Sequence, residues 1–136
     1  MPKLTRTRSA TKEDGIVALQ KAQQFAEAAR SELENERWDS AGLNAIHAGI
    51  SAADAALIFA AGIRNATQDH SNVISLLESS VASFRGSPRT QLVGLLKMKN
   101  VVAYEQRLIT RDEAVRLVKA ADRFLAWAQK ICDAVR

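Results

Sequence analysis

The sequence has almost no means of cross-linking itself. Its 136 residues contain one cysteine, Cys132, which rules out an internal disulfide and a zinc site built from cysteines. Aromatic residues are scarce at 5%, while 47% of the chain is hydrophobic and alanine is very common. A core short of rings and rich in methyl groups favours close-packed helices over a β-sandwich. No run of 18 apolar residues occurs, so no transmembrane helix and no membrane partner are expected. The opening stretch MPKLTRTRSATKEDG lacks the apolar segment of a secretory signal. The expectation is a soluble, cytoplasmic protein. There is no glycine-rich phosphate loop and no Gly-x-Ser-x-Gly elbow. Trp38 and Trp127 fall near element ends, so no aromatic platform for stacked bases is visible.

Acids are missing from the first twelve residues, where Lys3, Arg6, Arg8 and Lys12 stand. These four account for the net charge of +4, and the remaining fifteen basic residues balance the fifteen acids. The basic character therefore belongs to an arm and not to the domain. Residues 1–10 are expected to be a disordered basic tail that could also serve as a phosphate-binding arm. Residues 11–136 form one domain of ordinary size.

What is present reads as five helices and no strand. Thr11 and Asp14 resemble a capping box that opens the first helix, and ENERW ends it. Asp39 is expected to cap the second, which runs to about Gly62 and is filled with small residues. Gly42 and Gly49 weaken a helix, so a packing reason is expected for them. IRNATQD reads as a loop, with Asp69 capping the third helix. Ser87 and Pro88 open the fourth. Thr110 and Glu113 form a capping box for the fifth, whose core face is Ala114, Leu117, Val118, Ala121, Leu125, Ala128 and Cys132. The architecture is all-α, an antiparallel bundle of about five helices joined by short loops.

Polar groups interrupt this pattern in two places. On the second helix, Asn44, His47, Ser51 and Asp54 share one stripe in an otherwise apolar or small sequence. On the fourth, Val93, Leu96, Asn100, Tyr104 and Arg107 share a stripe that turns polar at Asn100, with Lys99 on its flank. A buried polar group left without a partner costs roughly 1–3 kcal/mol. The stripes should therefore pair or face a cleft, and Asp54, with His47, is expected within reach of Lys99, Asn100 or Tyr104. The polar end of the fourth helix is expected in a groove with limited water access. Leu95, Met98 and Val102 make its other side apolar too, which predicts a homodimer with Met98 to Tyr104 near a two-fold interface. His70 opens the third helix and would titrate near neutral pH. His47 and His70, lacking carboxylate pairs, do not make a metal site.

Three stretches carry a family resemblance: RWDSAGLNAIHAGISAADAALIFAAG, RNATQDHSNVISLL and KNVVAYEQRLITRDEAVRLVKAADRFLAWAQ. Over roughly Ala18 to Ala134 the chain resembles HEPN domains (higher eukaryotes and prokaryotes nucleotide-binding), closest to a bacterial subgroup with a Lys-Asn…Tyr-Glu motif. Active members carry Arg, then four residues, then His. The resemblance implies that these groups from two protomers meet across a dimer and cleave RNA without metal or other cofactor. Here the corresponding positions are Lys99 and Tyr104, and the polar residue after the first is Asn100. Lysine offers one point charge where arginine binds bidentately. Tyrosine, with a reference pKa near 10, is a poor acid–base group at pH 7.

The resemblance thus implies an RNA- or nucleotide-binding protein with a degenerate ribonuclease motif. Its candidate binding residues are Lys99, Asn100, Tyr104, Asp54, His47 and His70. It further implies a toxin–antitoxin or defence setting, with a nucleotidyltransferase or antitoxin as partner. An active endoribonuclease using Lys99 and Tyr104, or a purely structural interaction module, are the alternatives.

Overall fold

The structure, a computed structural model, describes residues 6–67 and 69–135. Thr7–Ser9 form a short strand, β1. Helix α1 (Lys12–Glu34) then starts at the expected capping box. The Thr11 N–H donates to Asp14 Oδ2 at 2.9 Å, and the Asp14 N–H donates to Thr11 Oγ1 at 3.2 Å. Two backbone donors that a helix start leaves without partners are thereby satisfied. A three-residue turn leads into α2 (Trp38–Ala61), so the two helices run antiparallel. Gly62, at φ +67°, ends α2 in the left-handed conformation that side chains with a Cβ resist.

Ile63–Asn65 follow as β2, which pairs antiparallel with β1 in the register Thr7–Asn65, Arg8–Arg64 and Ser9–Ile63. This ribbon corrects two expectations. The chain does contain strand, and the stretch expected as a disordered tail is paired at residues 7–9. Three-residue strands are too short to show an alternating pattern, and backbone bonds hold them. The first five residues of the expected tail lie outside the described residues. Helix α3 (Ser71–Ser80) and a 3₁₀ turn at Ala82–Phe84 lead to α4 (Ser87–Tyr104), with Pro88 in its first turn. Helix α5 (Arg111–Val135) opens on the expected box, the Thr110 N–H donating to Glu113 Oε1 at 2.8 Å and the Glu113 N–H to Thr110 Oγ1 at 3.1 Å. The all-α bundle expected from the sequence is the fold observed.

Asp39 does not cap α2. The helix starts at Trp38, and the Asp39 carboxylate instead accepts the Ile109 N–H at 2.6 Å. It ties the start of α2 to the connection between α4 and α5, a long-range use of a residue type that usually acts locally.

Helix α2 is the central element and packs against α1, α3, α4 and α5. By length and composition it is able to cross a membrane, although the missing 18-residue apolar run argued otherwise. Here its apolar residues are the protein core: Ala41, Ala45, Ile46, Ala48, Ala52 and Leu57 are all fully buried. Ala22, Ala26 and Ala29 of α1 face it, and methyl-sized side chains permit the close approach. The larger side chains collect at one end, where Phe84, Phe124 and Trp127 pack with ring centroids 5.3–6.5 Å apart. On α5 the expected core face is buried except Leu125, which is half-buried, and Phe124 joins it.

Gly49 has the packing reason its position suggested. A Cβ there would stand 2.6 Å from Leu95 Cδ1 of α4, and Leu95 is fully buried. Gly49→Val is therefore expected to destabilise the protein by roughly 1–3 kcal/mol through overpacking. Gly94→Ala, on α4 with nothing within 4 Å of its Cβ position, is expected to be neutral or stabilising by up to about 1 kcal/mol. Thermal denaturation of both variants checks the contrast.

Candidate functional site

The site begins in the connection from β2 to α3, where short polar side chains bond the backbone instead of solvent. Asn65 Oδ1 accepts the Thr67 N–H at 3.1 Å, and Asn72 Nδ2 donates to Thr67 Oγ1 at 2.8 Å. Asn72 is the one buried polar residue among the described residues. Asp69 Oδ1 accepts the Ser71 N–H at 3.0 Å and the Ser71 hydroxyl at 2.6 Å, but the N-cap position of α3 is His70, so Asp69 shapes the turn before the helix and is not the cap expected. This network fixes His70 at the mouth of the helix. Sequence reasoning missed the roles of Asn65, Thr67 and Asn72. Their signal was the density of Asn, Thr and Asp in one loop, residue types whose side chains mimic backbone turns.

His70 is half-buried and lines an apolar crevice with Ile50, Ala53, Val73, Leu92 and Leu96. On its open side it lines a cavity of about 380 Å³ with Asp69, Ser71, Val93, Lys97 and Lys99. Burial lowers the pKa of His70 below its ordinary value of 6.5. The charges of Lys99 and His47 lower it further, and Asp69 opposes them. The imidazole is thus neutral at pH 7 and offers one donor and one acceptor beside two lysines.

The six residues singled out from the sequence separate into three groups. His70 and Lys99 share the cavity, and His47 is near enough to act on His70 electrostatically. His47 itself is half-buried, its ring 5.4 Å from that of Phe25 on α1. Asn100 and Tyr104 point elsewhere. Asn100 is exposed, and Tyr104 is 71% exposed at the end of α4. The expected water-poor groove around the polar end of α4 is therefore not formed within one chain. The apolar side of that helix, through Leu92, Leu95 and Val102, is the core side.

Asp54 forms the third group. It was expected within reach of Lys99, Asn100 or Tyr104. Instead it lines a separate cavity with Lys21, Ser51 and Arg64, between α1, α2 and the ribbon. The α2 stripe is real, and its four residues are half-buried. Over three turns, however, its neighbours change: the His47 ring lies against Phe25 of α1, while Ser51 and Asp54 line the ribbon cavity. Asn44 at the lower end is satisfied within its own helix, donating to the Ser40 carbonyl at 2.9 Å. Arg107 also leaves its expected stripe, because α4 ends at Tyr104. Its guanidinium forks onto the Glu113 carboxylate with two contacts of 3.0 Å, which holds the Glu113 pKa down at about 2.

The model of the HEPN domain family matches residues 17–131, most of the chain. The chain belongs to the HEPN family. A search of curated proteins finds no match to it. In this HEPN domain the two motif positions, Lys99 and Tyr104, do not converge within one chain. Lys99 turns toward His70 and α3, and Tyr104 turns outward.

Proposed function

We propose that this HEPN protein binds RNA or a nucleotide through the groove between α3 and α4 and cleaves RNA weakly or not at all. The observation that carries the proposal is the shared cavity of Lys97, Lys99 and His70. Two ammonium groups beside a neutral imidazole suit a phosphodiester, because lysine supplies charge and the imidazole a hydrogen bond. The proposal includes a homodimer. The outward Tyr104 and the neighbouring Leu108, 71% and 78% exposed, are apolar groups that a second copy would cover. A toxin–antitoxin or defence role, with a nucleotidyltransferase or antitoxin as partner, fits the same proposal.

Lys99→Ala is expected to weaken binding of a labelled RNA by about tenfold, the effect of losing one charge-assisted contact. Tyr104→Phe is expected to change binding little. Filter binding at fixed ionic strength measures both. Unchanged affinity in Lys99→Ala removes the groove from consideration.

One observation favours a second reading, an active ribonuclease. His70, not Tyr104, stands beside Lys99, and its lowered pKa leaves it free to accept a proton at pH 7. If the wild-type protein cleaves RNA and His70→Ala abolishes the cleavage, His70 is the base and the binding-only reading fails.

A further inference from the structure

The upper end of the α2 stripe takes no part in the groove of His70 and Lys99. Its last residue, Asp54, lines a cavity of about 480 Å³ closed by α1 on one side and the ribbon on the other. Its carboxylate has no hydrogen-bond or ion-pair partner among the described residues, and Lys21 and Arg64 act on it only at a distance. Burial raises its pKa to about 6 in spite of both cations. The half-buried carboxylate opens onto the cavity, and no group among the described residues donates to it, so its oxygens are available to donors on a ligand.

The ribbon supplies an independent observation. Its register sets Arg8 directly opposite Arg64, and both are exposed. Like charges in that position destabilise a strand pair, and neither guanidinium has an ion-pair partner among the described residues. Two arginines held side by side form a fork for an anion with several oxygens. Arg64 and Lys21 also line the Asp54 cavity, so the anion site and the carboxylate open onto one space. The other acid there, Asp14, is committed to the cap of α1.

We propose that this cavity binds a guanine nucleotide, with its phosphate on Arg64, Arg8 and Lys21 and its base edge on Asp54. The chemistry selects the base. A carboxylate accepts two parallel donors, and the guanine edge presents two adjacent N–H groups. The adenine and cytosine edges set one donor beside an acceptor, which meets a carboxylate oxygen unfavourably. Val17, Ala18 and Ile58 supply apolar lining suited to a flat base, and Ser51 and Asn65 supply polar lining suited to a sugar. The volume lies within the range of small-ligand sites. This site is separate from the α3–α4 groove and does not depend on it.

Isothermal titration of the full chain with GMP, AMP and inorganic phosphate tests the proposal. GMP is expected to bind at least about tenfold more tightly than AMP, the discrimination of one good bidentate pair. Arg64→Ala is expected to weaken both nucleotides and phosphate alike. Asp54→Asn is expected to abolish the preference for GMP while phosphate binding persists. Lys21→Ala, on an exposed helix face, provides a second variant of the anion site. Competition by a short RNA containing guanosine distinguishes a guanosine within a strand from the free nucleotide as occupant. Absence of GMP binding at millimolar concentration, equal affinity for GMP and AMP, or binding indifferent to both Arg64→Ala and Asp54→Asn overturns the proposal.

Discussion

The double variant Lys99→Arg, Tyr104→His is expected to cleave RNA about 10²- to 10⁴-fold faster than the wild-type protein, the usual contribution of a positioned acid–base group. Arginine at position 99 replaces one point charge with a planar fork that holds a phosphate in a fixed orientation. Histidine at position 104 introduces a group that exchanges protons near pH 7. Neither change disturbs the core, since Lys99 is half-buried at a cavity wall and Tyr104 is 71% exposed. The two positions face apart within one chain, so the gain requires a second protomer to bring them together. A fluorogenic RNA substrate read alongside sedimentation tests both points. Cleavage that appears only in the dimeric species supports the proposed two-fold arrangement. Robust cleavage by the wild-type protein that Tyr104→Phe abolishes makes Tyr104 catalytic and overturns the degenerate-site reading.

Asp54→Asn is expected to stabilise the protein above pH 6 and to leave its stability nearly unchanged at about pH 3. The folded-state pKa, about 6, lies above the ordinary value of 3.8, chiefly because the carboxylate is buried. Below about pH 3 the residue is mostly protonated in both folded and unfolded chains, and asparagine is nearly equivalent to it. As pH rises from about 3 to 6 the unfolded chain ionises freely while the folded chain resists, so the wild-type protein loses stability through that window. Above pH 6 the difference is complete. With 1.36 kcal/mol for each pKa unit and a discount for solvent screening, it amounts to about 1–3 kcal/mol. Thermal denaturation of both proteins between about pH 3 and 8 measures it. A variant less stable than wild type at pH 7.5 shows that the carboxylate has a stabilising partner in the empty protein. Retention of a destabilising group in a cavity lined by cations is what a binding residue looks like.

Local rules carried most of the fold. The boxes at Thr11–Asp14 and Thr110–Glu113 need only residues three apart, and both form as their spacing requires. Gly62 ends α2, and the 3.6-residue period of α5 buries nearly the face it indicates. The HEPN resemblance was legible for the same reason, because it rests on long helices whose order and small-residue content are written along the chain.

What the sequence by itself determined is the helical period, the caps and the faces of each element. Only the tertiary structure decided which polar groups meet. Asp39 is spaced like a cap, yet its carboxylate holds a backbone N–H seventy residues away. Asp54 and His47 share a helical stripe, but over the 10 Å or so that separates their turns the neighbours change, from the Phe25 ring of α1 to the ribbon cavity. The ribbon itself joins residues 7–9 to residues 63–65 through backbone bonds that have no residue signature. It turns two isolated arginines into a pair. Spacing along a helix fixes direction about its own axis; which neighbour stands in that direction depends on how the helices cross, and the close approach of small residues such as Gly49 to Leu95 sets that crossing.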